Sequence, residues 1–537
     1  MLSSTRRMRS VASILVSTSV VLMLAAATAA GDRGPGVAPA LPGRVVSNPG
    51  TASLPSFTLF GWVSPPPDST TPARYAELAN AGLNVTVLAQ DDPGSLPFNQ
   101  QRLDCSRPVG VHNLLLDLRL DQVHEEDPST YPLLDRIVGA YKDDPAFLGY
   151  YLGDEPGIVD FPRIAEFFRL LRAHDPAHPG WNNLIGRQAF PSRDAFLNYV
   201  RAYASQVQPA VISTDHYDHT VNGDRGQFID NVSGTAQVAR EYGLPFWGIL
   251  LVITHRDYRV VDDGLLRWQV AQWLSYGCRG IGYFTYWTPA PDTNENWHDG
   301  MILYGTGQRG PHYDQVRTLN LRVKPMGEAL AELAWLATEH SGGTPIGGTA
   351  FAPDSLLASI EGRATLGTFA DGAGTPYLFL ANRDSSATQT LALELVGERR
   401  VDRFADAGGW APWTSTPTAH GRRVELTLAP GDFTLLRVSG GCPELSSGGC
   451  AATLDGSPNP GSVSVRFAAT RVHGPATLTL LDVNGRRIWA RPLAGEAPVM
   501  VWDGRTDDGT RVRPGFYWAR LTDANGSVVR RVAWLGH

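Results

Sequence analysis

The residues best suited to acid–base chemistry are two adjacent carboxylic acids, Asp154 and Glu155, which follow the apolar run 147–152. Apart from one glycine, the run is apolar or aromatic, as is typical of a strand covered on both faces. Pro156 cannot continue a central strand, so the acids lie where a strand gives way to a loop. A carboxyl group in this place can act as a general acid or base, which we predict for Glu155. The alternative is that the acids cap the next helix or pair with an arginine.

Strand-like runs that alternate with helical stretches are the elements that must position these acids. The run before them leads into residues 161–174, whose apolar residues recur with helical spacing. Between residues 56 and 340 the strand-like runs are 57–63, 83–89, 109–118, 147–152, 181–185, 210–214, 246–253 and 280–287. Their number and spacing predict a (β/α)8 barrel. An open doubly wound sheet is the alternative, but the sequence GWVSPPP at 61–67 is not the glycine-rich phosphate loop that it requires.

Polar and aromatic side chains collect where these runs end, and barrels of this type carry their chemistry at the carboxyl ends of the strands. Carboxylates and amides bind sugar hydroxyls, and aromatic rings stack on the apolar faces of sugar rings. The mixture predicts a carbohydrate substrate. The predicted substrate-binding residues are Trp62, Asp117, Asp154, Asn182, Tyr217, His255, Tyr286 and Trp287.

A second carboxyl group is needed for most glycoside cleavage, because one group protonates the leaving oxygen and the other acts as nucleophile or base. With Glu155 as the acid, Asp215 at the end of the sixth run is the first choice. Glu295, in the loop after the eighth run, is the second choice, and Asp257 and Asp154 follow. The alternative for Asp215 is a role as the cap of the following turn.

The place of Glu155 at the end of the fourth run, together with the sequence Tyr283-Phe-Thr-Tyr-Trp287 on the eighth, resembles a known clan of enzymes. These are the (β/α)8 glycoside hydrolases that carry their acid/base Glu at the end of the fourth strand. The resemblance spans residues 56–340 and implies hydrolysis of an O-glycosidic bond without a cofactor. Residues 428–437 also resemble the accessory sandwiches that follow such barrels.

Two departures from that clan leave the second carboxyl group open. The clan has Asn before the acid/base Glu, whereas this chain has Asp154. The clan places its nucleophile Glu at the end of the seventh strand, whereas residues 253–257 here read Ile-Thr-His-Arg-Asp. The departures are compatible with a different hydrolase family, an inverting mechanism, or a barrel that binds sugar without cutting it.

Composition narrows the possible partners of the chain. The formal net charge is −7 over 537 residues and no dense basic run occurs, so nucleic acid is not expected as a partner. No cysteines and histidines have zinc-site spacing, and no metal is expected. The alternative of a metal cluster at His216, His219 and His255 is less favoured than hydrogen bonding by these side chains, because their spacing matches no standard site.

The organisation of the whole chain is that of an exported multidomain protein. Basic residues, an apolar stretch and a small-residue cleavage pattern predict a signal peptide at 1–30 and a secreted or cell-surface location. Cys442 and Cys450 flank a short polar loop and are predicted to form a disulfide in an exported chain. The remaining predicted segments are a linker at 31–55, the barrel at 56–340, a β-sandwich at 341–440, a linker at 441–452 and a last domain at 453–537.

The last of these domains has motifs of its own: LDVNGRR at 481–487, WDG at 502–504 and PGFYWARL at 514–521. The Asn-Gly pair is a strong hairpin signal. These residues resemble the immunoglobulin-like FlgD-type domain that ends many exported bacterial proteins. The resemblance implies a contact with the cell surface or the export machinery rather than catalysis.

The function predicted from the sequence is therefore that of a secreted glycoside hydrolase with Glu155 as general acid/base. A non-catalytic glycan-binding surface protein with a degenerate barrel site is the main alternative. A hydrolase of some other bond, such as a peptidase, is a less favoured third alternative, because neither a Gly-x-Ser-x-Gly elbow nor a His-Glu-x-x-His sequence occurs.

Overall fold

The computed structural model describes residues 54–419, 421–440, 453–457, 464–470, 475–482, 486–493, 499–523 and 526–534. The predicted signal peptide, almost all of the linker that follows it, and both Cys442 and Cys450 lie outside these residues. The chain divides into two compact units, residues 1–440 and 441–537.

A cylinder of parallel strands surrounded by helices forms the first part of the first unit. Its elements are β1 (Thr58–Trp62), α1 (Pro72–Asn80), β2 (Val85–Thr86), α2 (Leu96–Ser106), β3 (His112–Leu115), α3 (Tyr131–Tyr141), β4 (Phe147–Asp154), α4 (Phe161–His174), β5 (Gly180–Asn183), α5 (Arg193–Val207), β6 (Ile212–Asp215), β7 (His219–Thr220), β8 (Gly223–Asp224), α6 (Phe228–Tyr242), β9 (Phe246–Leu251), α7 (Asp263–Ser275), β10 (Gly280–Phe284) and α8 (Pro311–Ala331).

The eight barrel strands run in the order β5-β4-β3-β2-β1-β10-β9-β6, and all neighbouring pairs are parallel. A parallel bridge between Leu184 and Thr214 joins β5 and β6, the strands at the two ends of this order, and so closes the barrel. At this seam the Leu184 backbone N–H donates to the Ser213 carbonyl at 2.9 Å. The predicted (β/α)8 barrel is therefore confirmed.

Large aromatic residues fill the interior of the barrel. Trp181 on β5 lies 5.4 Å from Trp62 on β1 and 6.4 Å from Trp247 on β9, measured between ring centroids. Phe60 on β1 is another ring of this interior. Gly282 on β10 makes room for it, because a Cβ atom at Gly282 would lie 2.2 Å from the Phe60 ring. Side chains on a strand alternate between its two faces, so the position of Trp181 fixes which β5 residues face inward.

A β-sandwich completes the first unit. Its strands are β11 (Ala334–His340), β12 (Leu357–Glu361), β13 (Ala364–Ala370), β14 (Pro376–Asn382), β15 (Gln389–Val396), β16 (Arg399–Phe404), β17 (Trp410–Trp413), β18 (Thr416–Pro417), β19 (Gly421–Leu428) and β20 (Phe433–Gly440). A six-stranded sheet, β11-β13-β14-β20-β16-β17, faces a four-stranded sheet, β12-β15-β19-β18, and buried leucine and valine side chains fill the space between them.

The six-stranded sheet also packs against the barrel. Phe379 and Phe433 are buried in the same apolar core as the barrel residues. The Trp268 indole N–H on α7 donates to the Arg383 carbonyl at 3.2 Å, and Arg322 on α8 pairs with Asp432 at 2.7 Å. Barrel and sandwich therefore share one core within the first unit.

The second unit is all-β in its described part. Its strands are β21 (Thr453–Ser457), β22 (Val465–Thr470), β23 (Ala476–Leu481), β24 (Arg487–Leu493), β25 (Val499–Trp502), β26 (Gly515–Asp523) and β27 (Gly526–Trp534). They form antiparallel sheets in the orders β21-β22-β25 and β24-β23-β26-β27 around a core that includes Trp489, Trp502 and Trp534. The predicted fold class, a barrel followed by two all-β sandwich domains, is confirmed.

One difference from the predicted elements concerns the end of the barrel. The sequence predicts a helical stretch over 313–336 that breaks or kinks near Pro325. The structure has a single helix, α8, with Pro325 inside it, and β11 already begins at Ala334. Within the described residues, no helix combines the length and the apolar character that crossing a membrane requires.

Candidate active site

The end of β4 carries the acids because the strand becomes irregular there. The pairing of β4 with β5 shifts register between Tyr151 and Asp154. Gly153 within this shift has a φ of +129°, which side-chain-bearing residues rarely adopt. Tyr151 faces the barrel interior, where its ring packs against Trp62 and Trp181. In a regular strand Asp154 would face the helices, so the irregularity at Gly153 brings its side chain to the interior.

Glu155 also has an uncommon backbone conformation, with a φ of +46°. Its backbone N–H donates to the Asn183 carbonyl on β5 at 2.9 Å, which holds the turn in place. Non-glycine residues in the left-handed region are uncommon and concentrate at functional sites. The side chain is half-buried, so the carboxyl group stands between the apolar interior and solvent.

Asn183 connects the strand of Asp154 with the strand of Asp215. Asp154 and Asn183 are register partners on β4 and β5, and the Asn183 amide donates to Asp154 Oδ1 at 3.2 Å. On the other side, the Ser213 hydroxyl on β6 donates to Asn183 Oδ1 at 3.1 Å. Asp215 lies two residues after Ser213 at the end of β6. The barrel thus brings Asp154, Glu155 and Asp215 into one cluster, which we call the carboxyl cluster.

Burial raises the pKa of all three acids of the carboxyl cluster, and repulsion by neighbouring carboxylates raises those of Asp154 and Glu155 further. For Asp154, burial and then the charge of Asp215 raise the pKa to about 7, against the effect of the Asn183 hydrogen bond. For Asp215, burial raises the pKa to about 6, and hydrogen bonds from Asn183 and Tyr217 limit the rise. For Glu155, burial and then the charges of Asp215 and Asp154 raise the pKa well above its ordinary value.

The three acids differ in the hydrogen bonds that their carboxyl groups accept, and this difference indicates which role each can have. Asp215 and Asp154 have donors that stabilise their ionised forms, whereas no hydrogen bond lowers the pKa of Glu155. No described Lys or Arg is among the groups that shift the three pKa values. Asp215 is therefore favoured to ionise, whereas Glu155 is favoured to hold its proton. Glu155 and Asp215 can therefore supply a general acid and a base or nucleophile, respectively.

Half-buried aromatic rings stand beside Asp215 and form what we call the aromatic wall: Tyr217, Tyr258, Phe284 and Trp297. The Tyr217 and Phe284 rings stack with centroids 5.8 Å apart. Phe284 in turn meets Trp297 edge-on at 5.7 Å, and Tyr217 meets Tyr258 edge-on at 5.9 Å. Tyr217 was predicted as a substrate-binding residue, and the charges of all three clustered acids raise its pKa, after burial.

Glu295 lies in a buried ion pair and is not among the groups that shift the pKa values of the carboxyl cluster. Its side chain binds Arg256, and His255 Nδ1 lies 3.2 Å from Glu295 Oε2. Burial lowers the pKa of His255 to about 4, so this imidazole is neutral at neutral pH. Its ring stacks on Trp297 at 4.3 Å. Glu295 was predicted as the second choice for the catalytic carboxyl, and the structure places it in this ion pair, where it joins the loop 288–310 to the segment after β9.

Trp62, Tyr286 and Trp287 were predicted to form the floor of a sugar subsite, but their side chains are buried. Their exposed fractions are 4%, 0% and 3%, respectively. Trp62 packs inside the barrel, and Trp287 lies beneath the Arg74 guanidinium, whose Cζ is 5.5 Å from the ring centroid. A sugar ring needs an open aromatic face, so the floor prediction is corrected in favour of the aromatic wall.

Asp117 and Asn182 also face away from the barrel mouth. Asp117 accepts hydrogen bonds from Arg119 at 2.6 Å and from the Tyr141 hydroxyl of α3 at 2.5 Å, so it binds the helix layer. Asn182 donates to the Gly153 carbonyl at 3.2 Å and is buried. Asn182 therefore supports the irregular end of β4 instead of contacting a substrate.

Asn183 and Phe284 belong to the site, although neither was among the predicted site residues. The two-residue alternation along a strand is the signal that identifies both. With Trp181 facing the interior, Asn183 faces it too, whereas Asn182 does not. Likewise Gly282 meets the interior Phe60 ring, so Phe284 is the next inward residue on β10.

The histidines after β6 have structural contacts. His216 Nε2 lies 3.1 Å from Asp218 Oδ1, and the His219 ring packs against Phe228 and Trp268. In the part of the chain that the structure describes, no group of three or more His, Cys, Asp or Glu side chains is placed to hold a metal ion.

Comparison with known proteins gives likeness of structure alone. No protein-family model and no curated protein matches the sequence, whereas 356 chains of solved structures match the structure. One is a glycoside hydrolase family 5 protein from Bacteroides vulgatus ATCC 8482, with 14% identity, a TM-score of 0.46, and 73% of this chain and 92% of that chain covered. Another is a rhamnosidase from Novosphingobium sp. PP1Y, with 11% identity, a TM-score of 0.40 and coverage of 77% and 60%.

A third is the endo-beta-1,4-mannanase from Thermotoga petrophila, with 8% identity, a TM-score of 0.35 and coverage of 90% and 98%. At these TM-scores and identities, the likenesses transfer no activity to this chain.

Proposed function

We propose that the barrel hydrolyses O-glycosidic bonds of a poly- or oligosaccharide, with Glu155 as the general acid and Asp215 as the second carboxyl group. The observation that carries the proposal is the separation of the two groups by environment. Glu155 has no hydrogen bond that lowers its pKa, whereas Asn183 and Tyr217 lower that of Asp215. One group therefore holds a proton while the other is ionised, as glycoside cleavage requires.

In the proposed reaction, the Glu155 carboxyl group donates its proton to the glycosidic oxygen as the bond to the anomeric carbon breaks. In one course the Asp215 carboxylate attacks the anomeric carbon as that bond breaks, and a water molecule that gives its proton to Glu155 then displaces Asp215 from the glycosyl ester. In the other course Asp215 removes a proton from the water that attacks the anomeric carbon directly. The first course retains the anomeric configuration and the second inverts it. Hydrolysis needs only water as co-reactant, and no cofactor is invoked.

The aromatic wall beside Asp215 is the proposed contact surface for the sugar. Its rings are half-buried, so part of each faces solvent. Aromatic faces bind the apolar faces of sugar rings, and the neighbouring carboxyl groups bind hydroxyls. A carbohydrate is therefore the proposed partner of the barrel.

The experiment that tests this function is a screen of the purified protein against a panel of polysaccharides, with product detection by reducing-end assay. We expect the wild-type protein to release sugar from at least one polysaccharide. The Glu155→Gln variant should lose that activity, since it keeps the shape of the side chain but cannot donate the acid proton. Equal rates for the two proteins would refute the role of Glu155.

A second candidate function is glycan binding without cleavage. It predicts that Glu155 lacks a partner carboxyl group, whereas the charge of Asp215 acts on Glu155 here. Binding of a glycan without release of product, by both the wild-type and the Glu155→Gln proteins, would favour this alternative.

Export remains part of the proposal. The segment 1–30 is proposed as a cleaved signal peptide, and the second unit as a FlgD-like immunoglobulin-type domain that contacts the cell surface or the export machinery. The antiparallel sheets of the second unit are compatible with such a domain. Amino-terminal sequencing of the exported protein tests cleavage near residue 30, and an intact amino terminus would contradict it.

A further inference from the structure

An exposed arginine side chain, that of Arg225, lies against the aromatic wall. Its guanidinium group stands over the Tyr258 ring, with Cζ 5.1 Å from the ring centroid. The Nη1 group donates to the Tyr258 hydroxyl at 3.2 Å and to the Tyr217 carbonyl at 3.1 Å. Both tyrosines belong to the aromatic wall, so the guanidinium extends the surface proposed for the sugar.

The loop that carries Arg225 is fixed by a buried acid, Asp218. The Asp218 carboxylate is 3% exposed and accepts hydrogen bonds from the backbone N–H groups of Gly226 and Gln227, both at 2.9 Å. The Arg225 backbone N–H donates to the Asp218 carbonyl at 3.0 Å. Arg225 is therefore held at its backbone and at its guanidinium group, so little side-chain freedom remains to be lost when a ligand binds.

The edge of the guanidinium group that these contacts leave open is the one formed by Nε and Nη2. Two further arginines follow β9, and both have acidic partners: Arg256 pairs with Glu295, and Arg259 Nη2 lies 3.9 Å from Asp224 Oδ1. Among the described residues, Arg225 forms no ion pair with a carboxylate, and its Nε and Nη2 groups donate to no acceptor. A planar N–H pair of this kind binds a carboxylate or sulfate with two parallel hydrogen bonds.

Arg225 is set apart from the carboxyl cluster. It is not among the groups that shift the pKa values of the three clustered acids. The Tyr217 and Tyr258 rings, 5.9 Å apart, continue the wall from the end of β6 to the guanidinium group. Asp257, the exposed acid before Tyr258, forms no ion pair with Arg225. An anionic group bound to Arg225 would therefore belong to a substituent or to a neighbouring sugar, away from the reacting carbon.

We propose that the polysaccharide cleaved by the barrel is anionic, and that Arg225 is the specificity-determining residue that binds its carboxylate or sulfate groups. The inference rests on the proposed function, in which a polysaccharide lies along the aromatic wall. The formal net charge of the chain is −7, so no general attraction of the protein for polyanions is expected. Recognition of an anionic sugar therefore requires a local cation beside the sugar surface, and Arg225 stands there without an acidic partner.

The experiment compares binding to matched pairs of polymers that differ only in charge. Polygalacturonate, alginate and glucuronoxylan are each paired with the carboxyl-reduced form, and carrageenan with the desulfated form, so the two sources of negative charge are tested separately. Dissociation constants are measured by affinity gel electrophoresis of the full chain carrying Glu155→Gln, which prevents consumption of the polymer. For at least one pair we expect binding to the anionic member to be about tenfold tighter.

Addition of Arg225→Gln should reduce that ratio to within about twofold, because the charge and the planar N–H pair are both removed. Arg225→Lys, which keeps the charge without the planar pair, should give an intermediate ratio. Arg169→Gln, at an exposed position on α4, removes one positive charge elsewhere and should leave the ratio unchanged. The ratio of the two dissociation constants is compared, so a general loss of folded protein does not alter the result.

Equal binding of both members of every pair, or a ratio that Arg225→Gln leaves unchanged, would overturn the inference. Cleavage of the same polymers is assayed separately with the wild-type protein. Binding that depends on Arg225 without any cleavage would refute the proposed hydrolysis and support the role of Arg225. Cleavage without preference for the charged member of a pair would support hydrolysis and refute the role of Arg225.

Discussion

At the scale of single residues, the carboxyl cluster holds three acids whose ionisation is unfavourable in the folded protein. Burial raises the pKa of Asp215 to about 6 from an ordinary value of 3.8. Between these values the folded chain binds more protons than the unfolded chain, so the free energy of unfolding falls as the pH rises through this window. Above about pH 6 the destabilisation is complete.

Substitution of Asp215 by Asn should therefore stabilise the protein at neutral pH while removing the second carboxyl group. We expect a gain of about 1–3 kcal/mol in the free energy of unfolding at pH 7.5, from the linkage between pKa and stability. At pH 3.5 the wild-type residue is protonated in the folded state and mostly protonated in the unfolded state, so most of the gain should vanish. Urea denaturation at the two pH values measures this.

The control for that substitution is Asp68→Asn, at an exposed carboxyl group in the loop after β1. It should change the stability by less than about 0.5 kcal/mol at either pH. A stability of Asp215→Asn equal to or below that of the wild-type protein at pH 7.5 would contradict the destabilisation assigned to ionised Asp215.

At the scale of elements, the end of β4 is where the barrel departs from regular geometry. Gly153 has a φ of +129° and sits in the register shift that turns Asp154 inward. Asn182 binds its carbonyl group from β5. A Cβ atom at Gly153 would meet only the Asn182 side chain, at 3.5 Å, so space is available and the backbone conformation is the constraint.

Gly153→Ala should cost about 1–3 kcal/mol of stability, because the backbone must strain or move to accept the methyl group. A movement would displace Asp154 and Glu155, so we also expect hydrolysis to fall by more than tenfold. Gly139→Ala is the matched control, since Gly139 is exposed on α3 with open space around its Cα. That substitution should be neutral or stabilising by up to about 1 kcal/mol. Equal behaviour of the two variants in thermal denaturation would contradict the role of Gly153.

Much of the barrel could be predicted from the sequence, because its buried strands are apolar runs that alternate with helical periodicity. The prediction of β5 depended on the pattern of the whole chain, because the strand Gly180–Asn183 is short and polar at its end. Glu155 was predicted from its place after the fourth run, and Asp215 from its place after the sixth. The roles of Asn182 and Asn183 were not separated, since only the inward position of Trp181 shows which amide reaches the acids.

The aromatic residues show a second limit of prediction from the sequence. Residue type alone favoured Trp62, Tyr286 and Trp287, all of which pack inside the protein. The exposure of a ring depends on which neighbours cover it, and those neighbours come from distant strands and loops. Trp297 is half-buried, and its ring stacks on His255 where the loop 288–310 pairs with the segment after β9.

At the scale of the whole molecule, the barrel and the first sandwich form one apolar core, whereas residues 441–537 have a core of their own. Trp268 of α7 lies against the six-stranded sheet, and close backbone packing occurs where a Cβ atom at Gly264 would lie 2.1 Å from the Ser385 carbonyl. The sandwich therefore has a structural role for the barrel.

Removal of residues 441–537 should leave the melting temperature of the first unit nearly unchanged, within about 3 °C, because that unit keeps its core. Removal of residues 341–537 should expose the barrel face that Phe379 and Phe433 cover, and we expect aggregation or a fall of more than about 10 °C. Scanning calorimetry of the two shortened chains measures the difference. A stable, soluble barrel without the sandwich would contradict the shared core.

The most direct test of the central proposal, that Glu155 protonates the leaving group, is a leaving-group comparison on one sugar. The natural glycoside and the dinitrophenyl glycoside of the same sugar are assayed with the wild-type protein and Glu155→Gln. For the natural glycoside we predict a fall in kcat/KM of about 10²–10⁴-fold. The dinitrophenyl glycoside should lose far less, because dinitrophenolate leaves without a proton. Equal losses on the two substrates, or no loss on the natural one, would contradict the proposal.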